Sequence, residues 1–303
     1  MREGAMALRK QPTILLTGVN GQVGFELARS LQGLGRVVAA DRNMLDLSDL
    51  DAVRRIVMDV KPQLIVNPAA HTAVDNAESE PDAAMRLNAH APAVLAEAAK
   101  QLGAGLVHYS TDYVFDGTKD GAYVETDATN PQNVYGASKL AGEQAIEASG
   151  CAHLILRTSW VYGTRGKNFL LTMLRLGGQR DELSVVADQI GSPTWSNTIA
   201  ALTANVLAQL TAASDGAEWW KRHSGVYHLT ANGATSWHGF AEAIFEASDL
   251  PRKPAVKAIP ASAYPTPAKR PGNSQLSNDK LAQVFGLRAP EWREALRLCM
   301  AAR

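Results

Sequence analysis

A short β-branched apolar run, Thr13-Ile14-Leu15-Leu16-Thr17, passes without a break into Gly18-Val19-Asn20-Gly21-Gln22-Val23-Gly24. Few local patterns restrict a fold so much. The run reads as a buried strand, the glycines as a tight turn, and Val23, Leu27 and Leu31 as the apolar face of the helix that follows. In a strand-turn-helix unit of this kind the glycines let a pyrophosphate approach the backbone, and the helix N-terminal amides face its charge. Gly18, Asn20, Gly21, Gln22 and Val23 are therefore candidate cofactor contacts. Glycines needed only for packing between strand and helix are the other reading of the same loop.

Alternation of strand and helix continues downstream. Arg36–Ala40 is predicted as a second strand, Leu50–Val60 as a helix, Leu64–Asn67 as a third strand and Pro81–Leu102 as one long helix. Gly105–Ser110 is a fourth strand; a helix follows Pro131, and Ala152–Arg157 is a further strand. Repeated units of this type predict an α/β fold with a doubly wound parallel sheet, Rossmann-like. Beyond about residue 162 the pattern becomes irregular. Helices are expected over 168–176, 197–210 and 237–248, strands over 183–186 and 225–229, and a terminal helix from near Trp292. Trp219 and Trp220 are expected in a polar connection. The chain thus divides into a dinucleotide-binding core over 12–162 and a smaller, mainly substrate-binding part over 163–303, some of whose segments return to the core sheet.

Asp41 ends the second strand about twenty residues past the glycine loop, where a ribose-reading acid stands in dinucleotide folds. Arg42 beside it suits a 2′-phosphate instead, so NADH and NADPH both stay open. Asp46 and Leu47 follow; Asp46 or Ser48 can equally cap the helix from Leu50. Ala69, Ala70, His71 and Thr72, after the third strand, are small or polar residues at a sheet edge where a flat ligand can approach. His71 reads either as an acid or as a loop histidine satisfied locally, and Asn88 as an interior polar anchor.

Composition excludes several partners. Thirty basic and thirty acidic residues give a net charge of +0, so there is no basic footprint for nucleic acid. No apolar run is long enough to span a bilayer. Met1–Gln11 is polar and basic and reads as a lead-in rather than a signal peptide. Cys151 and Cys299 form no redox or metal motif, which points to a reduced, cytoplasmic setting.

The chemistry concentrates between Ser110 and Lys139. Thr111 and Asp112 arrive at the carboxyl end of the fourth strand, and Tyr135 and Lys139 lie one helical turn apart on one face. A phenol is a weak acid at neutral pH, and a nearby ammonium favours its ionised form. Lys139 can supply that charge while holding the nicotinamide ribose, Thr111 can hydrogen-bond the carbonyl, and the cofactor supplies hydride.

With these residues the chain resembles the extended short-chain dehydrogenase/reductases and, within them, the dTDP-4-dehydrorhamnose reductase family. The resemblance runs through Gly21-Gln22-Val23-Gly24, Ala69–Asp75, Ser110–Phe115, Val134-Tyr135-Gly136, Lys139–Glu143, Arg157–Tyr162, Asn168-Phe169, Thr172–Leu176, Asp188-Gln189, Pro193-Thr194, Arg270-Pro271 and Asn273-Ser274. It implies NAD(P)H-dependent reduction of the C4 keto group of dTDP-4-dehydro-L-rhamnose to dTDP-L-rhamnose, a precursor of cell-surface polysaccharide. Tyr135 would protonate the C4 oxygen with Thr111 tuning it, and Lys139 would bind cofactor. Thr111, Asp112 and Trp160 would touch the sugar nucleotide; Gly21, Gln22, Val23, Asp41, Asp46, Leu47, Ala70, His71 and Thr72 would line the cofactor. Some relatives form a magnesium-bridged homodimer with an acid near Glu26, but no metal ligand is assigned here. Nucleotide-sugar dehydratases of the superfamily carry Thr-Asp-Glu where this chain has Thr111-Asp112-Tyr113, and epimerases retain their nicotinamide and are usually longer. A non-catalytic nucleotide-binding regulatory subunit should tolerate loss of the Tyr or Lys, and both are present.

Overall fold

The computed structural model describes residues 11–303. Apart from Gln11, the expected lead-in lies outside the described residues. Strands β1 (Thr13–Leu16), β2 (Arg36–Ala39), β3 (Leu64–Asn67), β4 (Gly105–Thr111) and β5 (Ala152–Thr158), with Gly225–His228, form a six-stranded sheet. Its order is β2-β1-β3-β4-β5 and then Gly225–His228, and every pairing is parallel. A parallel sheet buried on both faces needs strands that are apolar on both sides. All four residues of β3 and all seven of β4 are buried accordingly.

Side-chain alternation sorts the sheet into two cores. Ile14, Leu16, Val66, Val107 and Leu156 face helix α1 (Gln22–Ser30) and the Ser196–Ala212 helix; Leu15, Ile65, Leu106 and Ile155 face helix α2 (Leu50–Val60) and the Ala91–Leu102 and Val134–Ser149 helices. Trp219 belongs to the first of these cores and is 4% exposed, within the Gly216–His223 helix. The polar connection expected there is therefore an amphipathic helix: the charged residues around the tryptophan pair form its outer face. A third core joins Tyr162, Leu170, Met173, Leu183, Phe240, Ile244 and Trp292. It is built around the Phe169–Gly177 and Trp237–Glu246 helices and the parallel pair Glu182–Val186 and Ala255–Ile259.

Two further differences from the expected pattern have local causes. Helix α2 is capped by Asp49, which accepts from Ala52 N, rather than by Asp46 or Ser48; Asp46 instead accepts from the Ser48 amide and hydroxyl. The long helix expected over 81–102 is interrupted by a π turn at Arg86–His90. Among the described residues no helix is long and apolar enough to cross a membrane.

Candidate active site

Chain order reverses direction across β1: β2 lies on one side and β3 on the other. In open parallel sheets the crevice for a ligand opens at the carboxyl ends of such strands. Here the two loops meet at backbone distance. Gly18 has φ +57°, and a Cβ on it would sit 3.0 Å from Ala69 of the β3 loop. A Cβ on Gly24 would come within 2.1 Å of Gly18 O, so the first turn of α1, with Gln22, Val23 and Gly24 lining the crevice, is packed flush against the loop.

A cleft of about 630 Å³ runs from this loop to the carboxyl ends of β4 and β5. Gly18, Gly21, Gln22, Val23, Ala69, Ala70 and Thr72 line one end, and Thr111, Asp112, Tyr135, Lys139 and Trp160 the other. Residues more than a hundred positions apart in sequence thus line one cleft. Asn20, Asp41, Arg42, Asp46, Leu47 and His71 lie outside this lining. Leu47 is buried in the core beneath α2. Asp41 Oδ1 accepts from the amides of Asn43 and Met44, so it is engaged in its own turn, whereas the Arg42 side chain is 81% exposed with Asp46 3.5 Å away. His71 does have the carboxylate neighbour that its local sequence lacks, Glu80 at 3.5 Å.

The helix bearing Tyr135 and Lys139 is set by local signals. Asn133 caps it by accepting from Gly136 N at 2.8 Å, and Gly150 closes it in the left-handed conformation. Its buried face includes Ser138, Lys139, Gly142, Glu143 and Ile146. The π turn presents Asn88 to this face: its amide donates to Ser138 Oγ at 2.9 Å and to His71 O at 3.0 Å, and it accepts from His71 N at 2.8 Å. One buried asparagine therefore ties the β3 loop to the helix carrying Tyr135. π turns often mark functional sites for this reason: they re-aim one side chain.

Burial raises the Tyr135 phenol above its ordinary pKa, the Thr111 hydroxyl works in the opposite direction, and Asp112 and Tyr113 add to the rise. The expected lowering by Lys139 is not what this arrangement produces. Lys139, 2% exposed, donates from Nζ to Tyr109 O at 2.6 Å and lies 3.2 Å from His108 Nε2. Burial brings its pKa down to about 8, with the Glu143 charge raising it.

Thr111 Oγ1 accepts from Tyr113 N and donates to Asp112 Oδ1 at 3.0 Å. Asp112 is buried, its Oδ2 has no hydrogen bond within 3.5 Å among the described residues, and its pKa is pushed up to about 6 by burial, against the Ser274 and Thr111 hydroxyls. A folded-state pKa above the unfolded value means that the folded protein holds the proton more tightly. That contribution is complete below about 3.8 and is lost as pH rises through about 6. Asp112→Asn should therefore gain stability relative to the parent protein between about pH 4 and 6, read from urea midpoints at each pH. A constant difference across that window would contradict the raised pKa.

Trp160 has φ +47°, a strained conformation for a non-glycine residue, and stacks on Trp237 with centroids 3.5 Å apart and planes 7° apart. It lines the cleft and, through Trp237, also packs on the third core. Sequence reasoning did not single out Gly166 and Lys167, which also line the cleft. Their segment is held by Asn168, whose amide donates to Gln22 Oε1 at 2.8 Å and to Gly163 O at 2.9 Å. The signals nearest to them were Asn168-Phe169 among the residues of the resemblance and the helix that Asn168 caps. Near Glu26, Asn197 Nδ2 donates to its Oε2 at 3.0 Å, and among the described residues no three His, Cys, Asp or Glu side chains group as metal ligands.

The sequence profile of the family described as RmlD substrate binding domain matches residues 12–303. A dTDP-4-dehydrorhamnose reductase of Burkholderia thailandensis is 53% identical over 294 residues, spanning 95% of this chain and 97% of the relative. One from Escherichia coli is 45% identical over 292 residues, spanning 94% and 95%. The crystal structure of the Bacillus anthracis dTDP-4-dehydrorhamnose reductase in complex with NADP superposes with a TM-score of 0.88 at 36% identity, covering 97% of this chain and 100% of that one.

Proposed function

The chain belongs to the family described as RmlD substrate binding domain, and from that membership we propose that it reduces the C4 keto group of dTDP-4-dehydro-L-rhamnose to dTDP-L-rhamnose with NADPH. It is an NAD(P)H-dependent oxidoreductase of precursor synthesis for cell-surface polysaccharide, and the names of its relatives support that reading. The observation that carries the chemistry is the convergence of Thr111, Tyr135 and Lys139 in the cleft that begins at the glycine loop.

The residues fit a dinucleotide. Gly18 and Gly24 keep the loop free of side-chain bulk where phosphates would meet the first amides of α1. Lys139, with one N–H on Tyr109 O, has further N–H capacity for ribose hydroxyls. Arg42, exposed at the end of β2, suits a 2′-phosphate, while Asp41 is occupied by its turn; this supports NADPH over NADH. When bound, the nicotinamide supplies hydride to C4. Tyr135 gives its proton to the oxygen that becomes the alcohol. A phenol kept protonated by burial is in the correct state for that task, and an alkoxide is the stronger base. Thr111 holds the carbonyl oxygen beside it, and Asp112 and Trp160 meet the sugar. Residues 163–303 supply most of the remaining substrate surface. The setting is cytoplasmic, in keeping with two free, buried cysteines.

Incubation with dTDP-4-dehydro-L-rhamnose and NADPH should consume cofactor and keto sugar one for one, followed by nicotinamide absorbance and product chromatography. Isomerisation without net NADPH oxidation would overturn the reading in favour of an epimerase.

A further inference from the structure

Behind Lys139 lies a chain of buried polar groups that runs under the sheet edge to the start of the glycine loop. Lys139 Nζ is 3.2 Å from His108 Nε2, His108 Nδ1 is 3.1 Å from Asn67 Nδ2, and Thr17 Oγ1 is 2.6 Å from Asn67 Oδ1. All four residues are at most 2% exposed, and they come from β1's end, β3, β4 and the Val134–Ser149 helix. A packed apolar layer would fill this space at lower cost, because buried polar groups stabilise only when every one is paired.

Burial keeps His108 neutral, so its ring has one donor nitrogen and one acceptor. The charge on Lys139 then decides which is which. With a neutral amine on Lys139, Nε2–H donates to Nζ, the Asn67 NH2 donates to Nδ1, and Thr17 donates to the Asn67 oxygen. With an ammonium, Nε2 must accept, Nδ1 carries the hydrogen, and the amide of Asn67 turns to put its oxygen on Nδ1–H and its NH2 on the Thr17 hydroxyl. His108 and Asn67 can each reverse their roles, so Lys139, His108 and Asn67 are paired in either state, with the Thr17 hydroxyl switching from donor to acceptor. Asn67 cannot itself pass a proton along, so the chain orients rather than conducts.

We propose that His108 is a positioning residue for Lys139 and that, through Asn67 and Thr17, it lets a fully buried lysine be paired in either charge state during turnover. This rests on the reading above that Lys139 serves the cofactor and Tyr135.

The test compares His108→Leu with His108→Gln. Leucine fills the space but can neither accept nor donate; glutamine presents an amide that can do both. His108→Leu should lower kcat by about 5- to 150-fold, the effect of stranding one buried donor, with KM for the keto sugar little changed. His108→Gln should recover most of the loss. If leucine matches or exceeds glutamine in kcat, His108 is a packing residue and the proposal fails. Thr17→Val, which removes only the far hydroxyl, covers the case in which His108→Leu does not fold: unchanged kcat there also overturns the coupled chain. Lys139→Met run in parallel separates the two readings. An active Lys139→Met variant sinks the role of Lys139 itself, whereas an inactive one beside a fully active His108→Leu sinks this inference alone.

Discussion

Tyr135→Phe is expected to lower kcat by about 10²–10⁴-fold, the range for removing a positioned proton donor, while NADPH affinity stays near that of the parent protein. Tyr135 meets Tyr113 edge-on at 5.5 Å between ring centroids, and phenylalanine keeps that contact. Only the hydroxyl beside Thr111 is lost. The two quantities are read separately, kcat from steady-state NADPH oxidation and affinity from titration of nicotinamide fluorescence. An equal fall in both would mean that the hydroxyl serves cofactor binding, and unchanged kcat would remove Tyr135 from the chemistry. The direction of the pKa shift sharpens the expectation. Burial keeps the phenol protonated in the protein without ligand, so the acidic form that reduction requires is the resting form. Oxidation of the alcohol, which needs the phenolate, is correspondingly disfavoured at neutral pH.

The part of the site nearest this tyrosine was legible in the sequence because its signals are local. Gly18 and Gly24, the strand before them and α1 after them occupy one continuous stretch, and Tyr135 and Lys139 share a helix face by spacing alone. Residues that act through long-range contacts were legible only in outline. Asn88 reads as an interior polar anchor and is buried, but its partners His71 and Ser138 lie 17 and 50 positions away, and the π turn that aims it sits inside a helical pattern that reads as unbroken. His108 and Asn67 look like ordinary polar interruptions of buried strands until β3 and β4 are laid side by side. His71, which reads either as an acid or as a loop histidine satisfied locally, has its carboxylate neighbour Glu80 beyond the short helix that follows β3. Asp41 stands where a ribose-reading acid is expected, and its Oδ1 also accepts from two amides of its own turn, which spacing alone does not reveal. Trp219 misled because amphipathic surface helices and polar connections have similar composition, and only packing against Phe285 and Leu207 distinguishes them.

One turn beyond Lys139 the same helix holds the largest expected stability effect. Glu143 accepts from Arg157 Nε at 2.9 Å and from Nη2 at 2.6 Å, with the two side chains 2% and 5% exposed. Burying both ions is costly, so the pair gives little net stability over an apolar equivalent, but removing one partner strands the other. Glu143→Leu should therefore destabilise the protein by about 3–5 kcal/mol, measured by urea unfolding. Arg157 already has one buried nitrogen, Nη1, without a hydrogen-bond partner among the described residues, and its guanidinium lies 5.1 Å over the Phe115 ring, a contact weaker than the charge-assisted hydrogen bonds that would be lost. Glu143→Leu combined with Arg157→Met should recover most of that loss, because the buried guanidinium goes with it. A double variant as unstable as the sum of the singles would show that the two side chains are not one energetic unit. The double variant also isolates a second effect. The Glu143 charge raises the pKa of Lys139 against burial, so without it the ammonium is less favoured and NADPH affinity should fall even where stability has returned. That residual loss, set beside restored unfolding midpoints, would identify the ion pair as a fold element retained for its field at Lys139.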